Sequence, residues 1–221
     1  MTEHCYLAVI GDIRGSRQLA GRSGIQTRLE SALRELNGAL PEAAVAARFG
    51  VTGGDAFQGL LSAPAAAVDA LLVLEETMRP VTFRYGLGWG AVETAIRPRA
   101  TEMDGPCFHR AREALEAGKA GDRWAVARGL GAEGDRVVTG ILSLVGAVRE
   151  RWTEKQAQTV DLARRLPTQR EVASTLNVSP STVSEALAAA LYVPMCEAEA
   201  ALASALRVFG STPESQEDSV E

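Results

Sequence analysis

The sequence VAARFGVTGGDAFQGLLS occupies residues 45–62 and predicts a β-hairpin. Its two halves, residues 45–52 and 55–62, are strand-like runs, and the pair Gly53-Gly54 separates them. Two glycines between such runs are a strong hairpin signal, because glycine readily adopts the positive φ that tight hairpin turns require. The hairpin thus supplies two neighbouring antiparallel strands.

The elements on either side of the hairpin predict an α+β domain. An apolar strand over residues 6–10 and an amphipathic helix over 23–39 precede it. After it, the patterns predict a helix over 64–78, a strand over 81–92, a helix from 106 to about 117, a strand over 123–127 and a helix over 134–150. The order of the first six elements, β-α-β-β-α-β, is that of the split βαβ unit of a ferredoxin-like or palm fold.

This order places two aspartates on neighbouring strands. Asp12 comes after the first strand and Gly11, and Asp55 comes after the turn residues Gly53 and Gly54. Two carboxylates at converging strand ends can bind Mg²⁺ or Mn²⁺, which bridge the phosphates of a nucleotide and stabilise in-line displacement. The glycines let a triphosphate approach the main chain and offer N–H groups to it. The alternative interpretation is that both aspartates are ordinary turn residues.

Basic side chains extend this candidate nucleotide site. Arg14, Arg110 and Arg112 can neutralise a polyphosphate, by bidentate contact where the geometry permits. The alternative is that they are solvated charges of a loop and a helix. His109, on the helix that begins near Pro106, is either an ordinary partly buried histidine or a functional base.

The chain after residue 150 contains a predicted helix-turn-helix over residues 168–190. A helix over 153–166 precedes it. Thr168 and Glu171 have the spacing of a capping box, which predicts a helix start. Asn177 tolerates the left-handed backbone that ends a helix, and Ser179-Pro180 begins the next one. Two short helices joined by a tight turn are typical of this DNA-binding motif.

The second of these helices carries short polar groups that can contact base edges in a major groove. Arginines near the motif can bind phosphates. The candidate DNA-binding residues are Arg164, Arg165, Thr168, Gln169, Arg170, Ser179, Ser181, Thr182, Ser184 and Glu185. The alternative is a structural or dimerising helical module. Five basic and five acidic residues between 150 and 195 predict modest affinity per monomer, so that dimerisation is needed for tight binding.

Four segments of the chain resemble the SatD family of bacterial proteins. They are IGDIRGS from residue 10, TGGDAFQG from residue 52, YGLGWG from residue 85 and MDGPCFHRAREAL from residue 103. The likeness includes the helix-turn-helix and covers roughly residues 1–195. More distantly, residues 6–118 are similar to the palm domain of class III nucleotidyl cyclases and GGDEF proteins.

The more distant resemblance implies roles for individual residues. It implies that Asp12 and Asp55 hold the metals, that His109 and Arg112 stabilise the transition state, and that the chain forms a homodimer. The chain also departs from those enzymes. Val51 stands where adenylyl-type cyclases usually have a purine-reading lysine. The helix pattern is Phe108-His-Arg-Ala-Arg112, so either His109 or Phe108 replaces the usual asparagine, depending on the register.

Composition limits the function classes. The 221 residues include 23 basic and 28 acidic side chains, and the net charge of −5 excludes a strongly basic nucleic-acid coat. Cys5, Cys107 and Cys196 are isolated, so that neither a disulfide framework nor a structural zinc site is expected. No apolar run reaches about 18 residues and no signal peptide is visible, which predicts a cytoplasmic protein with no membrane partner.

These observations together predict a cytoplasmic DNA-binding regulator whose palm domain binds a nucleotide with Mg²⁺ or Mn²⁺ and thereby biases the helix-turn-helix. The predicted limits are 1–148 for the palm domain, 149–195 for the helix-turn-helix domain, 196–208 for a C-terminal helix and 209–221 for a disordered acidic tail. One alternative is an active two-metal nucleotidyl cyclase or nucleotidyltransferase. The other is a non-catalytic, dimerising interaction protein.

Overall fold

The computed structural model describes residues 4–15 and 22–211. Within them lie a mixed five-stranded sheet and eight helices, and the predicted α+β class is confirmed. The strands are β1 (Cys5–Ile13), β2 (Val45–Gly53), β3 (Ala56–Leu61), β4 (Phe83–Ala91) and β5 (Ala125–Arg128). The helices are α1 (Arg22–Ala39), α2 (Ala66–Thr77), α3 (Pro106–Ala120), α4 (Gly131–Arg149), α5 (Glu154–Arg165), α6 (Gln169–Leu176), α7 (Pro180–Ala189) and α8 (Tyr192–Phe209).

The strand order across the sheet is β2-β3-β1-β4-β5. Strand β1 is antiparallel to both of its neighbours, β3 and β4, whereas β5 runs parallel to β4. The register pairs Asp12 with Ala56 on one side and with Arg84 on the other. The predicted adjacency of the first strand and the hairpin is therefore confirmed, and Asp12 and the β2–β3 turn lie at the same edge of the sheet.

Glycines in β4 let helix α3 pack directly on the sheet. A Cβ atom at Gly86 would lie 2.0 Å from the carbonyl oxygen of Ala111, and one at Gly88 would lie 2.1 Å from that of Cys107. Any side chain at these positions would therefore force the helix away from the strand. Buried residues of β1, β3 and α3, including Phe108, complete the core on this face.

The opposite face of the sheet packs against α2 through a buried polar cluster. Glu75 of α2 is only 9% exposed. Its Oε1 atom accepts a hydrogen bond from the Tyr85 hydroxyl at 3.0 Å and another from Trp124 Nε1 at 3.1 Å. These bonds satisfy groups that would otherwise be costly to bury, so that the cluster connects α2, β4 and the start of β5.

The chain forms two compact units. One runs to Ser143 and includes the chain again from Leu202, and the other is Leu144–Ala201. The second unit has its own core, formed by Val160, Val172 and Val183 with their neighbours. The domain limits stated above remain predictions. Helix α8 begins four residues before the predicted residue 196, and the predicted acidic tail lies outside the described residues from 212 onward.

Within the described part of the chain, no single helix is both long and apolar enough to cross a membrane. Helices α7 and α8 reach that length and apolar character only as a pair, which is bent by 50°.

Candidate functional site

One edge of the sheet collects the aspartates predicted to bind metal. Strand β1 ends there, the β2–β3 turn lies there, and the C-terminal part of α3 packs against the start of β4 there. We call this region the Asp12 edge. It comprises Asp12, Arg14, Gly53, Gly54, Asp55, Arg84, Glu116, Lys119 and Asp122. Four of its side chains are acidic and three are basic, so opposite charges largely balance one another.

Asp12 already has a cationic partner. The Nζ atom of Lys119 lies 2.7 Å from Asp12 Oδ2 and 2.8 Å from Glu116 Oε1. Burial lowers the pKa of Lys119, but its hydrogen bonds to Asp12 and Glu116 outweigh burial and raise that pKa above the ordinary 10.5. The ammonium therefore stays charged. The Asp12 side chain is 17% exposed, and its Oδ1 atom is buried without a hydrogen-bond partner. One carboxylate oxygen is thus neutralised, and the other retains an unused acceptor.

The glycines of this edge have two different physical roles. A Cβ atom at Gly11 would lie 2.4 Å from the Phe57 ring, so Gly11 makes room for a core side chain rather than for a phosphate. At Gly53 and Gly54, by contrast, a Cβ atom would meet no heavy atom within 4 Å. Gly54 also has a φ of +59°, which the hairpin turn requires. Space for a ligand therefore lies at the turn, beside the half-buried Asp55.

Arg14 is held by an ion pair that the sequence did not indicate. Its Nη2 atom donates to Asp122 Oδ1 at 2.5 Å, and Arg84 donates to the same oxygen at 2.8 Å. Hydrogen bonds from Arg84 and Arg14 lower the pKa of the Asp122 carboxyl below its ordinary value of 3.8. A phosphate that bound Arg14 would therefore compete with Asp122 for the guanidinium.

The other predicted nucleotide and catalytic residues lie toward the N-terminal end of α3. Arg110 donates to the carbonyl oxygen of Trp89 at 2.9 Å. His109 Nε2 and Arg112 Nη1 lie 3.6 and 3.5 Å from Oδ1 of Asp104. Arg112 and His109 precede Lys119 by 7 and 10 residues, which is about 10 and 15 Å along an α-helix. Within one chain the structure thus separates these side chains from the Asp12 edge.

The donors of the Asp12 edge fit a magnesium ion only in part. In the described ranges, no three His, Cys, Asp or Glu side chains are grouped so as to hold a metal ion. Mg²⁺ is commonly bound by one or two carboxylates together with substrate phosphates and water. The unused oxygen of Asp12 and the open turn beside Asp55 fit that mode. The ammonium of Lys119 competes with it at the other oxygen of Asp12.

The second candidate site consists of α6 and α7. Thr168 Oγ1 accepts a hydrogen bond from Glu171 N at 3.3 Å, and Glu171 Oε2 accepts one from Thr168 N at 3.2 Å. Asn177 ends α6 with a φ of +54°. Ser179 Oγ then accepts from Thr182 N at 3.1 Å and caps α7. The predicted capping residues of both helices are confirmed.

Helix α7 has one buried and one exposed face. Val183 and Leu187 lie in the core of the Leu144–Ala201 unit. The polar and acidic side chains of its first two turns are exposed: Ser181, Thr182, Ser184 and Glu185. A helix that is anchored by apolar residues while its N-terminal part exposes hydroxyl groups has the side-chain chemistry needed to contact base edges.

The arginines predicted to contact DNA phosphates differ in their surroundings. The Nη2 atom of Arg164 lies 2.6 Å from Glu199 Oε1, and these side chains are only 19% and 11% exposed. Arg164 is therefore part of an internal ion pair. Arg165, Gln169 and Arg170 are exposed at the end of α5 and the start of α6.

Three charged residues of the Asp12 edge were not predicted from the sequence: Lys119, Arg84 and Asp122. Lys119 is one of two lysines in a chain with 23 basic residues, which was a weak signal that its identity matters. Asp122 gave no signal, because its partner Arg14 lies 108 positions away.

Comparison with known proteins assigns most of the chain to one family. The model of the SatD family matches residues 6–201. A search of curated proteins found no match. Among solved structures, the regulator of polyketide synthase expression from Bifidobacterium adolescentis is 16% identical, with 95% of this chain and 86% of that chain covered. The TM-score is 0.24, and this likeness therefore carries no argument about fold or function.

Proposed function

The chain belongs to the SatD family, and on the geometry of α6 and α7 we propose that it is a cytoplasmic DNA-binding regulator with a helix-turn-helix. The observation that carries the proposal is the division of α7 into two faces. Val183 and Leu187 anchor the helix, while Ser181, Thr182 and Ser184 remain exposed. None of these three side chains lies in the core. Ser181 Oγ and Thr182 Oγ1 form hydrogen bonds with Ser179 Oγ at 2.7 and 2.9 Å, and these exposed bonds can be exchanged for bonds to bases.

In this proposal α7 enters the major groove by its N-terminal part. The hydroxyl groups of Ser181, Thr182 and Ser184 contact base edges, and Arg165 and Arg170 contact phosphates beside the groove. Thr168 and Ser179 act mainly as helix caps and fix the two helices in place. The hydroxyl and arginine side chains can contact DNA together only if α6 and α7 keep this orientation to each other.

The charge balance of the Leu144–Ala201 unit predicts that one copy of the chain binds DNA weakly and that binding is sensitive to salt. Residues 144–201 contain six basic and seven acidic side chains, and Glu199 already pairs with Arg164. Phosphate neutralisation supplies most of the affinity of DNA-binding proteins. Tight binding by this unit therefore needs two copies of the chain on one duplex, with two α7 helices about one DNA turn apart.

The test is a fluorescence anisotropy titration of a labelled duplex with the full chain at several salt concentrations. Arg170→Ala is expected to weaken binding about tenfold and to reduce the slope of log K against log salt by about one. Arg151→Ala is the matched control. Its neighbour Trp152 donates to the carbonyl of Ala190 at the opposite end of α7, so binding should be unchanged. Equal loss in both variants, or no binding by the wild type at low salt, would contradict the proposal.

A second proposed function is nucleotide binding at the Asp12 edge by a palm-like sheet. The order β2-β3-β1-β4 is the one expected for a split βαβ unit. The observation that favours it is the buried, unpartnered Oδ1 of Asp12 beside the open Gly53-Gly54 turn. Asp12 and Asp55 would hold Mg²⁺ or Mn²⁺, which would neutralise the phosphates. Lys119 would keep its contact with Asp12 Oδ2 and add a positive charge.

The geometry favours a domain that binds a nucleotide without converting it to a product. His109 and Arg112 lie about 10–15 Å along α3 from Lys119, so they are too far away to assist a reaction at Asp12 in the same chain. The alternative of an active cyclase or nucleotidyltransferase requires a second copy to supply them. Detection of a cyclic nucleotide product by mass spectrometry would establish that alternative, and Asp55→Asn should then abolish the product.

The test of nucleotide binding is thermal stability with nucleoside triphosphates or cyclic nucleotides and Mg²⁺ or Mn²⁺. Ligand at about 100 times its Kd should stabilise the wild type by about 2.7 kcal/mol. The shift should disappear in Asp55→Asn but persist in the control Asp69→Asn, which changes an exposed carboxylate on α2. If nucleotide also biases DNA binding, DNA must change nucleotide affinity by the same factor. No metal-dependent shift with any nucleotide would contradict this second function.

A further inference from the structure

A groove of about 790 Å³ lies beside β5 and α4, and no residue of the Asp12 edge lines it. Thr139 of α4 joins these two elements, because its Oγ1 atom accepts from Ala127 N at 3.0 Å and lies 3.4 Å from the carbonyl oxygen of Ala127. Arg123 and Arg128 line the groove from either end of β5, and Arg136 lines it from α4. Guanidinium groups thus come from both walls.

The positive charge of this groove is not compensated by ion pairs. Arg123, Arg128 and Arg136 form no salt bridge with any described residue, and the one bond that Arg128 makes is a long one, 3.5 Å, to the carbonyl of Ala127. Asp135 also lines the groove. Its carboxylate accepts from Leu130 N at 2.8 Å and from Gly129 N at 3.3 Å, so its oxygens are engaged by the turn before α4.

The wall that α4 contributes is built from small side chains. Ala132, Gly140 and Ser143 lie along it. A Cβ atom at Gly140 would meet no heavy atom within 4 Å, so the groove remains open at that point. The Ser143 hydroxyl donates to the carbonyl oxygen of Thr139 at 2.8 Å and is thus directed to the helix. The groove therefore combines a small, largely apolar wall with three cationic side chains.

We propose that this groove is a binding site for a small organic polyphosphate, with Arg123, Arg128 and Arg136 on its phosphate groups. Guanidinium groups form paired hydrogen bonds with phosphate oxygens and remain charged at every physiological pH. At least two negative charges are needed to balance three arginines and one aspartate. The volume lies within the usual range for small-molecule sites, and the apolar wall can accommodate a base or another flat group.

This site differs from the Asp12 edge in its chemistry. Its charge is positive, so the ligand needs no divalent cation for neutralisation, whereas a nucleotide at Asp12 and Asp55 does. It also differs from a nucleic-acid surface, because its arginines are confined to one groove instead of following an extended face. A small ligand is therefore favoured over a duplex.

The test is calorimetric titration of the full chain with inorganic tripolyphosphate and with ATP, both in EDTA. The wild type is expected to bind both. Arg136→Ala and Arg123→Ala, which truncate exposed side chains and should preserve the fold, are each expected to weaken binding about tenfold. Arg34→Ala removes an exposed arginine of α1 that does not line the groove, and its affinity should equal that of the wild type.

The outcomes also separate this site from the other proposals. Metal-free binding that persists in Asp55→Asn but weakens in Arg136→Ala supports the groove, whatever happens at the Asp12 edge. Absence of metal-free binding in the wild type, or equal affinity in wild type, Arg123→Ala and Arg136→Ala, would overturn it. A duplex that binds through Arg123 and Arg136 while tripolyphosphate does not would overturn the assignment to a small ligand.

Discussion

The Asp12 edge and the helix pair α6–α7 use their polar side chains in opposite ways. At the Asp12 edge, Asp12 pairs with Lys119, and Arg14 pairs with Asp122. In α6 and α7 the capping bonds connect residues three positions apart, as in Thr168 and Glu171, and the exposed hydroxyl groups stand outside the core. A ligand at the first site competes with ion pairs of the protein, whereas a ligand of α7 competes with hydrogen bonds among the exposed hydroxyl groups of Ser179, Ser181 and Thr182.

This difference has a general lesson. A charged residue that the sequence singles out can be neutralised by a partner far away in the chain, so its availability depends on tertiary structure. A cap is made by its own neighbours, and the helix that it starts is therefore specified locally.

Glycines that make room for packing should be far less tolerant than glycines at the open turn. Gly88→Ala would place a Cβ atom 2.1 Å from the backbone of α3, so we expect a loss of about 3 kcal/mol in the free energy of unfolding. Gly53→Ala meets no neighbouring atom and should change it by less than about 0.5 kcal/mol. Urea unfolding of both variants measures the difference. Similar values for the two would show that α3 does not pack on β4 as described.

Arg164 should contribute to stability rather than to DNA affinity. Arg164→Ala leaves Glu199 unpaired in a site where both side chains are largely buried, and we expect a loss of about 2–3 kcal/mol. Arg170→Ala, at an exposed position, should cost less than about 0.5 kcal/mol. Denaturant unfolding gives the stabilities, and anisotropy titration of folded protein gives the affinities. An Arg164→Ala variant of normal stability but reduced DNA affinity would reverse our assignment.

Lys119 should limit the affinity of the Asp12 edge for divalent cations. Lys119→Met removes the ammonium 2.7 Å from Asp12, so we expect Mn²⁺ to bind about tenfold more tightly. Electron paramagnetic resonance of free Mn²⁺ measures this change. Lys155→Met, the same substitution at the other lysine, is the control and should have no effect. A lower Mn²⁺ affinity in Lys119→Met would mean that the lysine supports the cation site.

Loss of a helix cap should lower the free energy of unfolding by an intermediate amount. The loss should be small if the new side chain still offers an oxygen that accepts the capping hydrogen bond. Ser179→Ala removes the bond to Thr182 N and should cost about 1 kcal/mol, and Thr168→Ala should cost a similar amount. Ser179→Asn keeps an acceptor at the same position and should recover most of the stability. Thermal unfolding measures all three. Equal destabilisation by alanine and asparagine at residue 179 would show that the capping hydrogen bond does not contribute to stability.

The ion pairs of Asp122 should give the smallest effect and a defined pH dependence. Because Arg84 and Arg14 lower the pKa of the folded carboxyl, its contribution is fully present above the ordinary pKa of 3.8 and is lost as pH falls through the lowered value. Asp122→Asn should therefore be less stable than the wild type at neutral pH, with the difference shrinking under acid conditions. Unfolding at both pH values measures it. A difference that grows as pH falls would have the wrong sign.

Locally determined features of this fold could be predicted from the sequence. The Gly53-Gly54 turn, the capping box of Thr168 and the left-handed Asn177 depend on residues within a few positions of each other, and all three are present. The sequence did not reveal that helix α3 approaches Gly88 of β4.

Features that depend on distant parts of the chain could not be predicted. Glu199 follows Arg164 by 35 positions, and nothing in either segment indicates their pairing. The predicted site residues of α3 lie toward its N-terminal end, whereas the residue of α3 that contacts Asp12 is Lys119, near the C-terminal end. The groove arginines come from a turn, a strand end and a helix, and none belongs to a motif.

Hydrogen–deuterium exchange of the full chain, with and without duplex DNA at low salt, can show whether α7 is the helix that contacts DNA. We predict slower exchange over the N-terminal half of α7 and the start of α6, around Thr182 and Arg170. The same experiment with Arg170→Ala should give less protection at the same DNA concentration. DNA that binds without protecting α7, or that protects the Asp12 edge in its place, would show that α7 does not contact DNA.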